Sequence, residues 1–262
     1  MLDLKKQLLD DGFVHIKSFF DKDEVHEIEK SIDSVYQNPT LFKIKKEIPN
    51  GEFFMDYNNW RRNNQIEKIC KSDKIVNFIT ELTNSKKCWL MHEDVIIKRG
   101  NAPKTPIHHD RPYFIFKGDL NLTVWTSVND VSSESSLILY RNSHKINTLF
   151  LPKTFATNKN SELKLKGKSN YTDIDSYNFK QSDETNFDHK SGDIIIFFNR
   201  TVHKAPEHFD DNTRKSLAIR YLLDGSTLTE NFFNDVPPYT KIGVKVKEDE
   251  PVPEKFFPLL KG

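Results

Sequence analysis

Ser191-Gly-Asp-Ile-Ile-Ile-Phe-Phe-Asn-Arg-Thr-Val-His203 decides how the chain is read. A Gly-Asp pair opens the stretch, residues 194–198 follow as a compact apolar strand, and a histidine stands just past its end. Eleven residues later Arg214 enters a second apolar stretch, Ser216-Leu-Ala-Ile-Arg-Tyr-Leu-Leu223. Successive strand residues face opposite ways, so Arg214 and Arg220, an even number of residues apart, share one face.

Similar strands precede this pair. Trp89–Lys98 is strand-like and closed by Gly100, Leu120–Val128 alternates more cleanly, and so does Leu137–Tyr140. Helical spacing comes earlier. Residues 2–11 form a short helix ending at Gly12, followed by a strand over 12–17. Asp21 with Glu24 three residues on reads as a helix cap, and Val25, Ile28, Ile32 and Val35 give the helix one buried face. A further helix is expected over 73–84. Residues 146–190 are polar and aperiodic and read as an insertion or lid. Helices followed by short strands suggest an α+β chain built around one barrel or sandwich. The expectation is a single domain over 1–262: a helical N-terminal region over 1–87, a β core over 88–224 and a proline-rich wrap over 225–262.

Composition narrows the function. The 262 residues carry 39 Lys+Arg against 38 Asp+Glu, which argues against a nucleic-acid binder working through bulk charge. No long uncharged apolar run exists, so no membrane span is expected. The N-terminus enters an amphipathic pattern with acidic residues and does not read as a signal peptide. Two cysteines, Cys70 and Cys88, exclude a disulfide framework and make the cytoplasm the expected compartment. Twenty Phe against nine Gly point to a Phe-rich core and away from a glycine-rich phosphate cradle. A small-molecule substrate is the expected partner; the oligomeric state is not readable.

Nine histidines allow several metal sites. A carboxylate two residues after a histidine lies on the same face of a strand end. With a histidine from a distant strand it completes a two-histidine, one-carboxylate set, which leaves positions on Fe(II) for other ligands. The lack of thiolates makes structural zinc a poorer fit. His-x-Asp occurs three times. His92/Asp94 sits mid-strand, where ligation would compete with packing. His208/Asp210 lies in the loop Ala205-Pro-Glu-His-Phe-Asp-Asp-Asn212 and reads as solvated. His108/Asp110 follows the loop 100–106 and precedes Tyr113-Phe114, where a loop re-enters the sheet. His203 is the distant histidine. A guanidinium grips a carboxylate in a fork. An Arg214-held carboxylate with the keto-acid end on the metal describes 2-oxoglutarate. Arg220 is the competing arginine.

The same stretches resemble the phytanoyl-CoA dioxygenase family of iron- and 2-oxoglutarate-dependent oxygenases over nearly the whole length. The resemblance is carried, in the family's order, by Leu9-Asp-Asp-Gly-Phe-Val-His-Ile16, Thr105-Pro-Ile-His-His-Asp-Arg-Pro-Tyr113, Val124-Trp-Thr-Ser-Val-Asn-Asp130, Ser143-His-Lys145, Ser191-Gly-Asp193 through His203-Lys-Ala-Pro206, and Arg214-Lys-Ser-Leu-Ala-Ile-Arg-Tyr221. It implies a double-stranded β-helix, a cupin-like jelly roll, with N-terminal helices packed on one sheet. It implies Fe(II) held by His108, Asp110 and His203. The distal carboxylate of 2-oxoglutarate would sit on Arg214, with Lys98 and Trp125 beside the cosubstrate and O2 as the oxidant.

The reaction so implied is hydroxylation of an unactivated C–H, with release of succinate and CO2; no strong basic patch for a CoA phosphate is visible, so a small polar metabolite is the expected substrate. Ile107 replaces a family Trp or Leu, and the turns at Ser135-Ser-Leu137 and Arg141-Asn-Ser-His144 depart from the family pattern without touching a ligand. Related halogenases have a small residue where Asp110 stands, so the retained carboxylate favours oxidation over halogenation. Asn58, Trp60, Arg61, Tyr113, Phe114 and the 146–190 insertion are candidates for the substrate pocket. Two readings compete: a non-catalytic cupin-like binding protein, and a zinc or manganese cupin enzyme that does not use 2-oxoglutarate.

Overall fold

A computed structural model describes residues 1–153, 171–208, 213–232 and 237–262. Residues 154–170 of the expected insertion, and Asp210, lie outside the described residues. Four α-helices come early: α1 (Leu2–Asp11), α2 (Lys22–Gln37), α3 (Asn64–Cys70) and α4 (Asp73–Thr83). Asp21 caps α2 as expected. Its Oδ1 accepts the Glu24 amide at 2.9 Å and the Glu24 carboxylate accepts the Asp21 amide at 2.8 Å, which satisfies two end donors at once.

The main sheet has eight strands. Its antiparallel path runs β1 (Phe13–Ile16), β12 (Ile194–Phe198), β7 (Leu122–Ser127), β14 (Arg214–Leu223), β4 (Cys88–Gly100), β3 (Gly51–Tyr57) and β2 (Ile44–Ile48), and β16 (Leu259–Lys261) also pairs with β4. A smaller sheet runs β11 (Glu184–Thr185), β8 (Ile138–Tyr140), β13 (His203–Ala205) and β5 (Thr105–His108). Two short pairs complete the set: β9 (Leu149–Phe150) with β10 (Tyr171–Thr172), and β6 (Phe116–Lys117) with β15 (Thr227–Leu228). This is the expected jelly roll.

Period-2 alternation explains why the main sheet is apolar on both faces. Ile194, Ile196, Phe198, Val124, Leu217 and Ile219 join the helices in one core cluster. Their neighbours Ile195, Phe197, Trp125 and Ala218 instead pack with Leu137, Leu139 and Ala205 of the smaller-sheet side. One face therefore carries the helices and the other faces the site.

Two expectations need correction. Among the described residues all four α-helices lie within 1–87, but besides the expected strand β1 this region also contains β2 and β3, so it completes the main sheet as well as covering it. His208 is not solvated: it is buried and bridges Ala102, its amide donating to the Ala102 carbonyl at 2.9 Å. Gly12, at φ +92°, ends α1 where an added Cβ would lie 2.3 Å from His144 Nδ1, so the turn needs glycine. Cys70 and Cys88 are buried, unpaired thiols. Among the described residues no helix is long and apolar enough to cross a membrane.

Candidate metal and cosubstrate site

His108 and His203 face each other directly, as register partners on β5 and β13. Each ring is fixed through Nδ1, which lies 2.8 Å from the Pro106 carbonyl in His108 and 3.0 Å from the Thr201 carbonyl in His203. A carbonyl only accepts, so in the neutral rings Nδ1 carries the proton and Nε2 the lone pair. Both Nε2 atoms point at Asp110 Oδ1, at 3.4 Å from His108 and 3.8 Å from His203. Asp110 stands two residues past His108, just before a 3-10 turn over Arg111–Tyr113.

Its other oxygen is held elsewhere. Oδ2 accepts from Thr123 Oγ1 at 3.3 Å and lies 3.3 Å from Arg220 Nη2. Burial opposes ionisation of Asp110, but the Arg220 guanidinium and the two imidazoles hold its carboxyl well below the usual range. Burial also depresses His203 to about 4, so its imidazole is neutral at pH 7. Three lone-pair atoms thus meet within 4.8 Å of one another, all buried. Two imidazole nitrogens and one carboxylate oxygen, without thiolate, fit Fe(II), and the carbonyl-fixed Nδ1 atoms are the supporting contacts that orient such ligands.

The other end of the same cavity is cationic. Arg214 and Lys98 are register partners on β14 and β4, both buried, and both line the cavity with the triad. Lys98 Nζ donates to the Pro103 carbonyl at 2.8 Å and to Thr105 Oγ1 at 3.3 Å. Arg214 donates to the Ser135 carbonyl at 2.5 Å, while its Nε has no partner. Burial, and then the charge of Arg214, push the Lys98 ammonium well down; burial alone lowers Arg214 to about 10. Among the described residues neither side chain hydrogen-bonds a carboxylate, although the Glu207 charge acts on Lys98, and the pairing of two such groups suits an anion. Trp125 lines the cavity between these ends and the core. Ser216, absent from the sequence-based candidates, also lines it with Oγ unpartnered; its place two residues after Arg214 was the available signal.

Arg220 is not at the anion end. Its guanidinium pairs with Asp94 and reaches Asp110, and Asp94 Oδ1 lies 3.4 Å from His92 Nε2. His92 and Asp94 do face the cavity, but their acid is already engaged. Tyr113 and Phe114 line the cavity as expected. Asn58, Trp60 and Arg61 are not among the lining residues. Trp60 packs into the helix-side core, and Arg61 stacks on it at 4.3 Å and donates to Asn58 Oδ1 at 3.0 Å and to the Phe256 carbonyl.

A second group of metal-ligand types, His15, His189 and Asp193, lies on the other side of Trp125, whose ring packs edge-on against His189 at 4.8 Å. Here the chemistry differs. His189 Nε2 accepts the Ser127 amide at 3.2 Å, so in the neutral ring its proton sits on Nδ1, the atom a metal would need. Asp193 accepts from the Ser18 amide at 2.7 Å, the Lys190 amide at 3.0 Å and His15 Nε2 at 3.0 Å. This cluster ties the turn before β12 to β1.

A family model, phytanoyl-CoA dioxygenase (PhyH), matches residues 8–216. No curated protein matches in sequence. Among solved structures the chain is similar to the non-heme alpha-ketoglutarate-dependent epimerase SnoN from nogalamycin biosynthesis, with a TM-score of 0.75 at 18% identity over 99% of this chain and 98% of that one. SnoN has also been crystallised with Fe3+, alpha-ketoglutarate and nogalamycin RO. The carbocyclase SnoK from the same biosynthesis gives 0.75 at 15% identity, over 99% of this chain and 96% of its own. EctD from S. alaskensis gives 0.70 at 12%, over 96% of this chain and 85% of its own. At these identities the structural likenesses show the fold. With the family match over most of its length, the chain belongs to the phytanoyl-CoA dioxygenase family of iron- and 2-oxoglutarate-dependent oxygenases.

Proposed function

We propose that the protein hydroxylates an unactivated C–H bond of a small molecule, with His108, Asp110 and His203 as the iron ligands. The observation that carries this reading is the convergence of three lone-pair atoms in the same cavity as Arg214 and Lys98, neither of which hydrogen-bonds a carboxylate among the described residues. Arg214 binds the distal carboxylate of 2-oxoglutarate in a fork, Lys98 supplies the second positive charge, and Trp125 walls the cosubstrate. Bound iron and 2-oxoglutarate would activate O2, the oxidant: one oxygen atom would go to the substrate C–H and the other into succinate as 2-oxoglutarate loses CO2.

The chain's own residues set position and environment. The Pro106 and Thr201 carbonyls fix the imidazoles, and Thr123 and Arg220 restrain Asp110 to offering one oxygen. Phe114, Phe197 and Leu137 keep the cavity walls dry. Asp110 fills the position that a halide would need, which supports hydroxylation over halogenation. The two unpaired buried thiols support a reducing compartment, the cytoplasm. The test is a metabolite screen for substrate-stimulated succinate release, followed by mass analysis of the product. A gain of one oxygen atom is expected; loss of two hydrogens, or an isomer of unchanged mass, would replace hydroxylation with another oxidative outcome.

A further inference from the structure

Register lays out the inner face of the main sheet as a grid. Across β3, β4 and β14, Phe53 aligns with Lys98 and Arg214, Met55 with Ile96 and Ser216, and Tyr57 with Asp94 and Ala218. The β14 side of the grid holds the cosubstrate cation Arg214. The β3 side is apolar: Phe53, Met55 and Tyr57 cluster with Ile44 and Ile96. Phe53, Met55 and Ile96 line the cavity, and Phe114 adds a further apolar wall.

The charges on this side are spent on one another. Arg220 is shared by Asp94 and Asp110, and Asp94 also meets His92. Lys98 and Arg214 are taken by the cosubstrate in the reading above. Among the lining residues the remaining ion is Lys104, which is exposed. Among the described lining residues an ionised group buried against β3 would find no buried counter-charge, only the exposed Lys104, and a buried charge without a partner is strongly disfavoured.

From this we infer that the substrate is an uncharged, predominantly apolar molecule seated on Phe53, Met55, Ile96 and Phe114, with its target C–H beside the triad. The inference rests on the 2-oxoglutarate oxygenase reading. It departs from the sequence-based expectation of a polar metabolite: that expectation came from the lack of a basic patch, which excludes a phosphate but says nothing of the wall. Hydroxyl and carbonyl groups remain compatible, since Ser216 Oγ and His92 Nδ1 are without partners.

Matched probes test it with the Fe(II)-loaded enzyme: 1-decanol against decanoate, and cyclohexylmethanol against cyclohexanecarboxylate, with L-proline as the polar reference. The readout is probe-stimulated succinate release from 2-oxoglutarate. Each alcohol should stimulate release at about tenfold lower concentration than its carboxylate twin, a difference of about 1.4 kcal/mol. Met55→Lys should reverse that order, and Met55→Gln, which keeps the volume, should weaken the response to both alcohols. Equal or better stimulation by the carboxylates or L-proline, or silence of both alcohols, would overturn the inference. The anaerobic charge-transfer absorption of the Fe(II)–2-oxoglutarate complex separates the two levels: its failure to form would sink the oxygenase reading itself.

Discussion

Among the described residues two His-His-Asp clusters lie near Trp125, and their hydrogen-bond partners turn their lone pairs differently. In the first, both rings spend their Nδ1 protons on backbone carbonyls and turn Nε2 lone pairs toward one oxygen of Asp110. In the second, His189 Nε2 is used by the Ser127 amide, and the oxygens of Asp193 are used by two amides and His15. Both clusters have the residue types and similar spacing. The direction of the lone pairs separates them, and backbone partners set that direction. The first cluster turns two lone pairs and a carboxylate oxygen toward one point; in the second, His189 Nε2 and both Asp193 oxygens are engaged by protein donors, and His189 Nδ1 is left without a partner.

The largest expected effect comes from breaking the first cluster. His108→Ala, Asp110→Ala and His203→Ala should each reduce 2-oxoglutarate turnover to background while the fold persists, as circular dichroism would check. His189→Ala should leave turnover measurable.

The anion end gives the next effect. Removing one partner of a buried charge pair costs about 2–5 kcal/mol, so Arg214→Ala should raise the KM for 2-oxoglutarate by at least about tenfold, with iron binding nearly unchanged. Arg214→Lys should restore some of the loss, because an ammonium forms no fork. Arg220→Ala should show the opposite pattern. Its loss releases Asp110 Oδ2 and should weaken iron about 10–100-fold, the usual cost of losing an outer contact to a ligand. If Arg220→Ala raises the KM and Arg214→Ala does not, the clamp is misassigned.

Asp193 tests the structural side. Asp193→Ala removes three hydrogen bonds to a carboxylate and should destabilise the fold by about 2–4 kcal/mol in urea unfolding, without changing iron stoichiometry. Altered stoichiometry would make the second cluster a metal site after all.

A pH-dependent effect belongs to Glu93. This side chain is fully buried and accepts the Asn59 and Trp60 amides at 2.5 and 3.2 Å, and burial pushes it up to about 8. A carboxyl raised above its ordinary 4.5 binds its proton more tightly when folded. Its contribution is therefore full below about 4.5 and is lost as pH rises toward about 8, by at most about 1.4 kcal/mol per pH unit. Glu93→Gln should flatten that slope in a pH series of unfolding curves; an unchanged slope would assign it to other groups.

Much of this is legible in the chain because it is local. The helix over 2–11 ends at a glycine, Asp21 and Glu24 close a cap, and the apolar run 194–198 becomes β12 with those boundaries. The candidate triad is legible because His-x-Asp at a strand end brings two candidate ligands together and the strand that Gly192-Asp193 opens delivers the third. The hairpin β2–β3 is not. Lys45, Lys46 and Glu47 mask its alternation, although Pro49-Asn50-Gly51 marks its turn and Asn50 takes a φ of +60°. Trp60 and Arg61 fall outside the pocket because neighbouring positions in sequence do not reveal which side of a sheet a turn will cover. The loop around His208 reads as polar, yet its bridge to Ala102 buries the ring, a contact set by residues more than a hundred positions away.

The central claim is that lone-pair direction, rather than residue type, makes the metal site. Anaerobic Fe(II) titration followed by metal analysis tests it most directly, on the unsubstituted protein, His203→Ala and His189→Ala side by side. One iron per chain is expected for the unsubstituted protein and for His189→Ala, and none for His203→Ala. Iron retained by His203→Ala and lost by His189→Ala would contradict the account.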